Sequence, residues 1–313
     1  MKKLISIVIP AYNEEDVIEE LKRRLQNLMN LYSNYDFEVI IVENGSSDTT
    51  FELLILVHHE DSRFKIVQLS RNFECDGGIG AGLQYAKGDA AVIMNADLQD
   101  PPEMIPLFID LWEKGNEIVY GIIEEREGVP LLRKIMSSVA YIIISKLSNN
   151  MIPKNVSDFR LVDKRVYSII NKMPEKNKFL RGVFVWTGFK QTGIPYKRPP
   201  RFAGSSKADF ITVWKVAMNG IFSFSYFPLK IATGLGFVLS IISFVIAIFE
   251  IFLFLIYGRE VPGFTTLMLT ILFCFGVLFF LLGIFGKYIE RIYEEVKQRP
   301  NYIVKNIIGF EVI

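Results

Sequence analysis

Two long apolar runs toward the carboxyl end constrain what this chain can fold into. Past Lys230, residues 229–257 carry one charged side chain, Glu250, and residues 264–286 carry none. Each run, as a helix, is long enough to cross the roughly 30 Å of hydrocarbon in a bilayer. Only residues 258–263 join them, so the spacing predicts a helical hairpin with both flanks on one side of the membrane. Lys207, Lys215 and Lys230 before the hairpin, with Lys287, Arg291, Lys297 and Arg299 after it, outnumber the single Arg259 in the turn. Such an excess assigns the flanks to the cytoplasm. Core helices of a soluble protein would not keep runs this long so free of charge. Just upstream, residues 212–228 mix Trp214, Phe222, Phe224 and Tyr226 with Lys215 and small polar residues, which suits an amphipathic segment lying in the interface. Glu250 is read as structural, because it falls near the far end of its span, within reach of headgroups or a neighbouring subunit.

The remaining boundaries follow from where charge stops. Residues 1–211 form a cytoplasmic domain, 212–228 the interfacial segment, 229–286 the transmembrane hairpin (229–257 and 264–286) and 287–313 a cytoplasmic tail. A formal net charge of +1 gives no nucleic-acid signal. Cys75 and Cys274 lie on opposite sides of the boundary, which rules against a disulfide framework or a cysteine metal site. The opening apolar run ends at Pro10, too early for a signal-peptide core, and reads as a buried first strand. His58 and His59 have no partner motif and are assigned to packing.

Within the first domain, apolar runs rich in Val and Ile recur at 5–10, 37–42, 64–69, 90–94 and 117–120, each short enough for a strand buried on both faces. Val17, Leu21, Leu25 and Leu28 recur at helical spacing after the acidic stretch 14–16. A second helix is expected after Ser46 or Asp48, either of which can cap it. Strand alternating with helix predicts an α/β domain with a mostly parallel, Rossmann-like sheet whose ligands bind beyond the carboxyl ends of the strands. The unusual polar residues fall there, at 10–15, 43–48, 70–73 and 95–103, as for a polar, phosphorylated ligand. The four glycines of 77–82 are read as close helix packing rather than a cofactor loop.

With these residues in place, the chain resembles the polyisoprenyl-phosphate glycosyltransferases, inverting family 2 enzymes of GT-A fold that include dolichyl-phosphate mannose synthases and bacterial enzymes loading undecaprenyl phosphate. The resemblance runs through Ser-Ile-Val-Ile-Pro-Ala-Tyr-Asn-Glu-Glu (6–15), Leu-Ser-Arg-Asn-Phe (69–73), Ala-Asp-Leu-Gln-Asp-Pro-Pro-Glu (96–103), Ser-Asp-Phe-Arg-Leu (157–161) and Pro-Pro-Arg-Phe-Ala-Gly-Ser-Ser-Lys (199–207). It continues into the hairpin and the Arg-Pro-Asn-Tyr-Ile-Val segment after it. Any one motif is weak, but five in the family's order before the expected hairpin are specific.

The resemblance implies transfer of a sugar from a nucleotide-diphosphate sugar to a polyprenyl phosphate at the cytoplasmic membrane face, by a homo-oligomer, a tetramer in the family. The diphosphate leaving group gains charge, so a divalent cation is expected. Asp97 and Gln99 would hold Mg²⁺ or Mn²⁺, hard ions that prefer oxygen. Pro10, Tyr12, Glu14, Glu43, Asn44, Ser70 and Asn95 would surround the donor. Arg126, Arg133, Ser137, Arg160, Arg201 and Lys207 would bind the acceptor phosphate, since arginine forks onto phosphate oxygens. Asp158 and Asp97 take the catalytic places, Asp158 near the nucleophile; its plainer reading is an ion pair with Arg160 or another basic neighbour.

Three positions depart from the family pattern. Glu43-Asn44-Gly45-Ser46 stands for Asp-Asp-Gly-Ser, Asn95 for the first acid of the metal motif, and Ile123 for an arginine after strand five. Each swap removes or moves a charge, which leaves open an altered donor, weaker metal dependence or lost activity, the last giving a nucleotide- or partner-binding membrane protein. A processive polysaccharide synthase would need more spans and a Gln-x-x-Arg-Trp motif, and the sequence has neither.

Overall fold

The sheet is built first from the strand runs. In a computed structural model that describes residues 2–126, 155–176, 178–203, 227–257 and 263–310, β1 (Leu4–Ala11), β2 (Asp36–Glu43), β3 (Phe64–Leu69) and β4 (Ala90–Ile93) pair in parallel in the order β4-β1-β2-β3. Their continuous Val and Ile runs are buried because both faces are covered: Ile5, Ile7 and Ile9 point one way and Val8 the other, and all four are fully buried.

Helices α1 (Ile18–Leu31), α2 (Thr50–Glu60) and α4 (Ile105–Glu113) contribute Leu21, Leu25, Leu54, Phe108 and Trp112 to the core on one face. Helix α3 (Glu74–Tyr85) lies on the other face. Its glycines are there for contact: a Cβ on Gly82 would stand 2.3 Å from Val8 Cγ1 and 3.0 Å from Val42 Cγ2. The start of α2 is held by Asp48, whose Oδ1 accepts from the Thr50 N–H at 3.1 Å.

Beyond β4 the sheet turns mixed. β5 (Ile118–Arg126) continues well past the 117–120 run. β6 (Val156–Asp163) inserts antiparallel between β4 and β5, and β7 (Gln191–Arg198) lies parallel to β5 at the edge. Helices α5 (Lys164–Lys172) and α6 (Leu180–Trp186) occupy the chain between β6 and β7. This mixed α/β sheet is the GT-A arrangement the sequence leads one to expect.

Helices α7 (Phe227–Tyr257, 31 residues) and α8 (Phe264–Lys297, 34 residues) form a separate unit. Both are long and apolar enough to cross a membrane, and no part of either apolar window is buried inside the protein. Phe244, Leu255 and Phe279 are each at least two-thirds exposed, as expected of side chains whose solvent is lipid. α8 does not stop at 286 but runs on through the charged stretch to Lys297. The chain then rejoins the first unit: β8 (Val304–Ile308) pairs antiparallel with β3, closing the sheet order β7-β5-β6-β4-β1-β2-β3-β8. The stretch read as a tail thus contains a strand, and Tyr302 and Phe310 beside it pack on the cluster around Val42 and Val67. Arg133, Ser137, Lys207, most of the 212–228 segment and Arg259 lie outside the described residues.

Candidate active site

Six strands, β1 to β5 and β7, run one way, so their carboxyl ends share an edge, and the antiparallel β6 begins there. That edge gathers backbone strain. Asn13, Glu74 and Leu98 have φ of 51°, 61° and 57°, a left-handed region that costs a residue with a Cβ about 1 kcal/mol or more and concentrates at functional sites.

The loops after β1 and β2 are stitched together. Asn13 N–H donates to Ser46 Oγ at 3.0 Å, Ser47 N–H to Asn13 Oδ1 at 2.8 Å and Glu14 N–H to Thr50 Oγ1 at 2.9 Å. Glu43 and Asn44 are buried. Glu43 accepts from the Ser46 N–H at 2.5 Å. Asn44 Nδ2 donates to Glu74 O at 2.8 Å, and its Oδ1 accepts from Phe73 N–H at 2.9 Å. An aspartate at 44 could accept from Phe73 but could not donate to Glu74, so the amide builds the junction between these loops. Pro10 abuts α3, where a Cβ on Gly78 would stand 2.9 Å from its Cβ. Ser70 is exposed, and its N–H donates to Ile303 O at 2.9 Å. The residues expected around the donor therefore run along the edge toward β8, with Tyr12 and Glu14 at the β1 end.

The turn after β4 brings in the acids. Asp97 is 5% exposed, its Oδ1 accepting from Gln99 N–H at 3.2 Å and its Oδ2 facing Arg201 Nη2 at 3.2 Å. Burial and then the charge of Asp100 push its carboxyl above the ordinary value, against Arg198 and Arg201. Asp100, fully buried, fastens the turn. It accepts from Asn95 N–H at 3.1 Å and Nδ2 at 2.8 Å, and from Tyr196 Oη at 2.9 Å, with Arg198 Nη2 at 3.8 Å. Burial, then the Asp100 charge, raises the Tyr196 phenol, so it stays a donor.

Alternation along β6 sends Ser157 and Phe159 toward Asp100 and the Phe108 side, and Asp158 and Arg160 the other way. Asp158 is forked by Arg181 of α6, with Nε to Oδ1 at 2.5 Å and Nη2 to Oδ2. Burial alone would raise the Asp158 carboxyl, but Arg181 outweighs it and holds it at about 2. The basic neighbour that pairs with Asp158 is thus Arg181, and Arg160 adds to the lowering. Arg160 is 2% exposed, donates from Nη2 to Ser157 O at 2.8 Å and stacks over Phe184 at 4.6 Å. Asp76, in the first turn of α3, has a carboxyl pushed up to about 7 by burial and then by Asp158. Ile123 is buried in the core, and Arg126 ends β5 opposite Arg198.

Among the described residues no three His, Cys, Asp or Glu side chains could hold a metal together. Asp97 and the Gln99 amide supply hard oxygens from one turn. That set fits an ion that takes its remaining ligands from a substrate diphosphate and water, as Mg²⁺ commonly does.

Asp100, Arg181, Tyr196 and Arg198 join the site without having been singled out from sequence. Asp100 and Arg198 sit within or next to the quoted motifs, whereas Arg181 has only its place on a short, mostly buried helix.

A polar edge at the carboxyl ends of the strands is where an α/β fold of this kind places its ligands. Residues 6–169 match the family described as Glycosyl transferase family 2. An uncharacterized glycosyltransferase of Synechocystis sp. is 41% identical over 309 residues, covering 99% of this chain and 97% of that protein. A prophage bactoprenol glucosyl transferase homolog of Escherichia coli is 35% identical over 303 residues, 97% of this chain and 99% of its own. The bactoprenol glucosyl transferase of Shigella phage SfV is 35% identical over 96% of this chain and 98% of its own. The chain belongs to glycosyl transferase family 2 and is a glycosyltransferase.

Proposed function

We propose that this protein transfers a hexose from a nucleotide-diphosphate sugar to a polyprenyl phosphate at the cytoplasmic face of the membrane. The observation that carries the reading is the similarity to bactoprenol glucosyl transferases over almost the whole chain, apolar helices included. Site chemistry supports it. Arg198 and Arg201 lie beside Asp100 and Asp97, which suits anionic ligands, and Arg198 Nε is buried with no hydrogen-bond partner among the described residues.

In this reading Asp97 and Gln99 would hold Mg²⁺ or Mn²⁺, which would supply charge to offset that of the leaving diphosphate. Pro10, Tyr12, Glu14, Glu43, Asn44 and Ser70 surround the nucleoside side. Arg126, Arg133, Ser137 and Lys207 meet the acceptor phosphate. That phosphate is already largely ionised near neutral pH, its second ionisation lying near 6, so it needs positioning more than a base. Asp158, held at about 2, suits an electrostatic and positioning part rather than proton abstraction. Self-association fits too, because among the described residues no atom would lie within 4 Å of a Cβ on Gly276, Gly283 or Gly286 of α8, and small residues let helices approach.

Incubating the purified protein with undecaprenyl phosphate and a panel of nucleotide sugars tests this directly. A sugar-phosphate lipid detected by mass is expected. No product with any donor would favour a non-catalytic binding protein.

A further inference from the structure

Both oxygens of the Asp97 carboxylate are occupied by the protein itself, Oδ1 by the Gln99 N–H and Oδ2 by Arg201 Nη2, each at 3.2 Å. We propose that the Arg201 guanidinium holds the cation's place on Asp97 while no donor is bound, and yields it when a divalent ion arrives together with a diphosphate. The inference rests on the metal reading given above.

A carboxylate 5% exposed, with the fully buried Asp100 nearby, needs a counter-charge when it is ionised. Arg201 supplies it from the segment that follows β7, outside the sheet ladder, so it can leave without breaking a strand. Arg198 belongs to β7, opposite Arg126, and stays. The same segment is tied to the other oxygen donor: Gln99 Nε2 donates to Pro199 O at 3.2 Å. An ion would take Gln99 Oε1 while Nε2 holds Pro199 O, so both metal-ligand candidates of the site engage the 199–201 segment in the ion-free state.

An ion alone must break the Arg201 pair and strand a guanidinium. A diphosphate arriving with it offers Arg201 a new anion beside the unpartnered Nε of Arg198. Ion and diphosphate should then bind cooperatively, each raising the affinity of the other by one factor.

Calorimetric titration of Mn²⁺ into the full-length protein in detergent, with and without inorganic pyrophosphate, reads this without turnover. Without pyrophosphate, Arg201→Ala should bind Mn²⁺ about tenfold tighter than the parent, as expected when a competing charge-assisted hydrogen bond is removed. Its cooperativity with pyrophosphate should shrink. Arg201→Lys, which keeps the charge and loses the fork, should fall between, and near-parental melting of either variant keeps the comparison sound. Unchanged or weaker Mn²⁺ binding by Arg201→Ala, with binding lost in Asp97→Ala, would overturn the place-holder role and leave the metal reading standing. Parental Mn²⁺ binding by Asp97→Ala would sink the metal reading, and the place-holder with it.

Discussion

At the scale of single residues, substitutions should reveal how the buried charges of the site are paired. Asp158 and Arg181 are both partly buried, at 17% and 25% side-chain exposure. Arg181→Ala leaves a carboxylate without its fork and should cost about 1–3 kcal/mol in denaturant unfolding. Adding Asp158→Ala should recover part of that loss, a coupling that two independent sites would not show. Asn95 gives the converse case. Its backbone and side-chain N–H groups both donate to Asp100 Oδ2. Asn95→Asp would set two carboxylates face to face, lowering stability by roughly 1–3 kcal/mol without a divalent ion. Millimolar Mg²⁺ should restore more melting temperature in this variant than in the parent; equal shifts would contradict it. Asp76 titrates. Its folded value of about 7 lies above the unfolded value near 3.9. The stability it contributes is therefore complete below about pH 4 and lost as pH rises through 7. Asp76→Asn should melt a few degrees higher than the parent at pH 8, roughly 1 kcal/mol on a domain of this size, and equal to it at pH 4.

At the scale of elements, what was legible was whatever burial writes into sequence. β1 to β4 are covered on both faces, so their runs are continuous in Val and Ile, and α1 shows its buried Leu21, Leu25 and Leu28 at helical spacing. The glycines of α3 were read as packing, and Gly82 tests that: its Cβ would stand 2.3 Å from Val8 Cγ1. Gly82→Ala should cost about 1–3 kcal/mol by overpacking; a neutral effect would mean that α3 can lift off the sheet freely. β6 to β8 were not read as strands, for physical reasons. β6 carries Ser157, Asp158 and Arg160 because it starts inside the site, so its strand pattern is hidden by its chemistry. β7 holds Gly193 and Pro195, residues depleted in strands and tolerated at an edge. β8 is short and half polar because it too is an edge. Arg181 left no trace because one arginine on a short helix looks like a solvated one. The acids after β4 were visible because three lie in a single turn-forming motif, while their partners come from β6, β7 and the segment beyond, distant in sequence.

At the scale of the whole molecule, the return of the chain to the sheet bears on topology. The polypeptide leaves the unit that holds β1 to β7, passes through α7 and α8, and re-enters that unit as β8 beside β3. A strand cannot pair with β3 from across a bilayer, so if each helix crosses once, both ends of the hairpin must lie on the side of the catalytic domain. We propose the cytoplasmic side from the charges: Lys230, Lys287, Arg291, Lys297 and Arg299 flank the spans against Arg259 in the turn, an asymmetry of the kind that retains flanks in the cytoplasm. Cysteine labelling can read this from one protein. Cys75 is free and exposed in the catalytic unit and Cys274 lies in α8, so Arg259→Cys combined with Cys274→Ser leaves Cys75 and one introduced site in the turn. In sealed right-side-out vesicles an impermeant maleimide should label the turn at once and Cys75 only after permeabilisation, and external protease should leave the catalytic domain whole. Labelling of Cys75 in sealed vesicles would place the domain outside, away from cytoplasmic nucleotide sugars, and would remove the donor side of the proposed reaction.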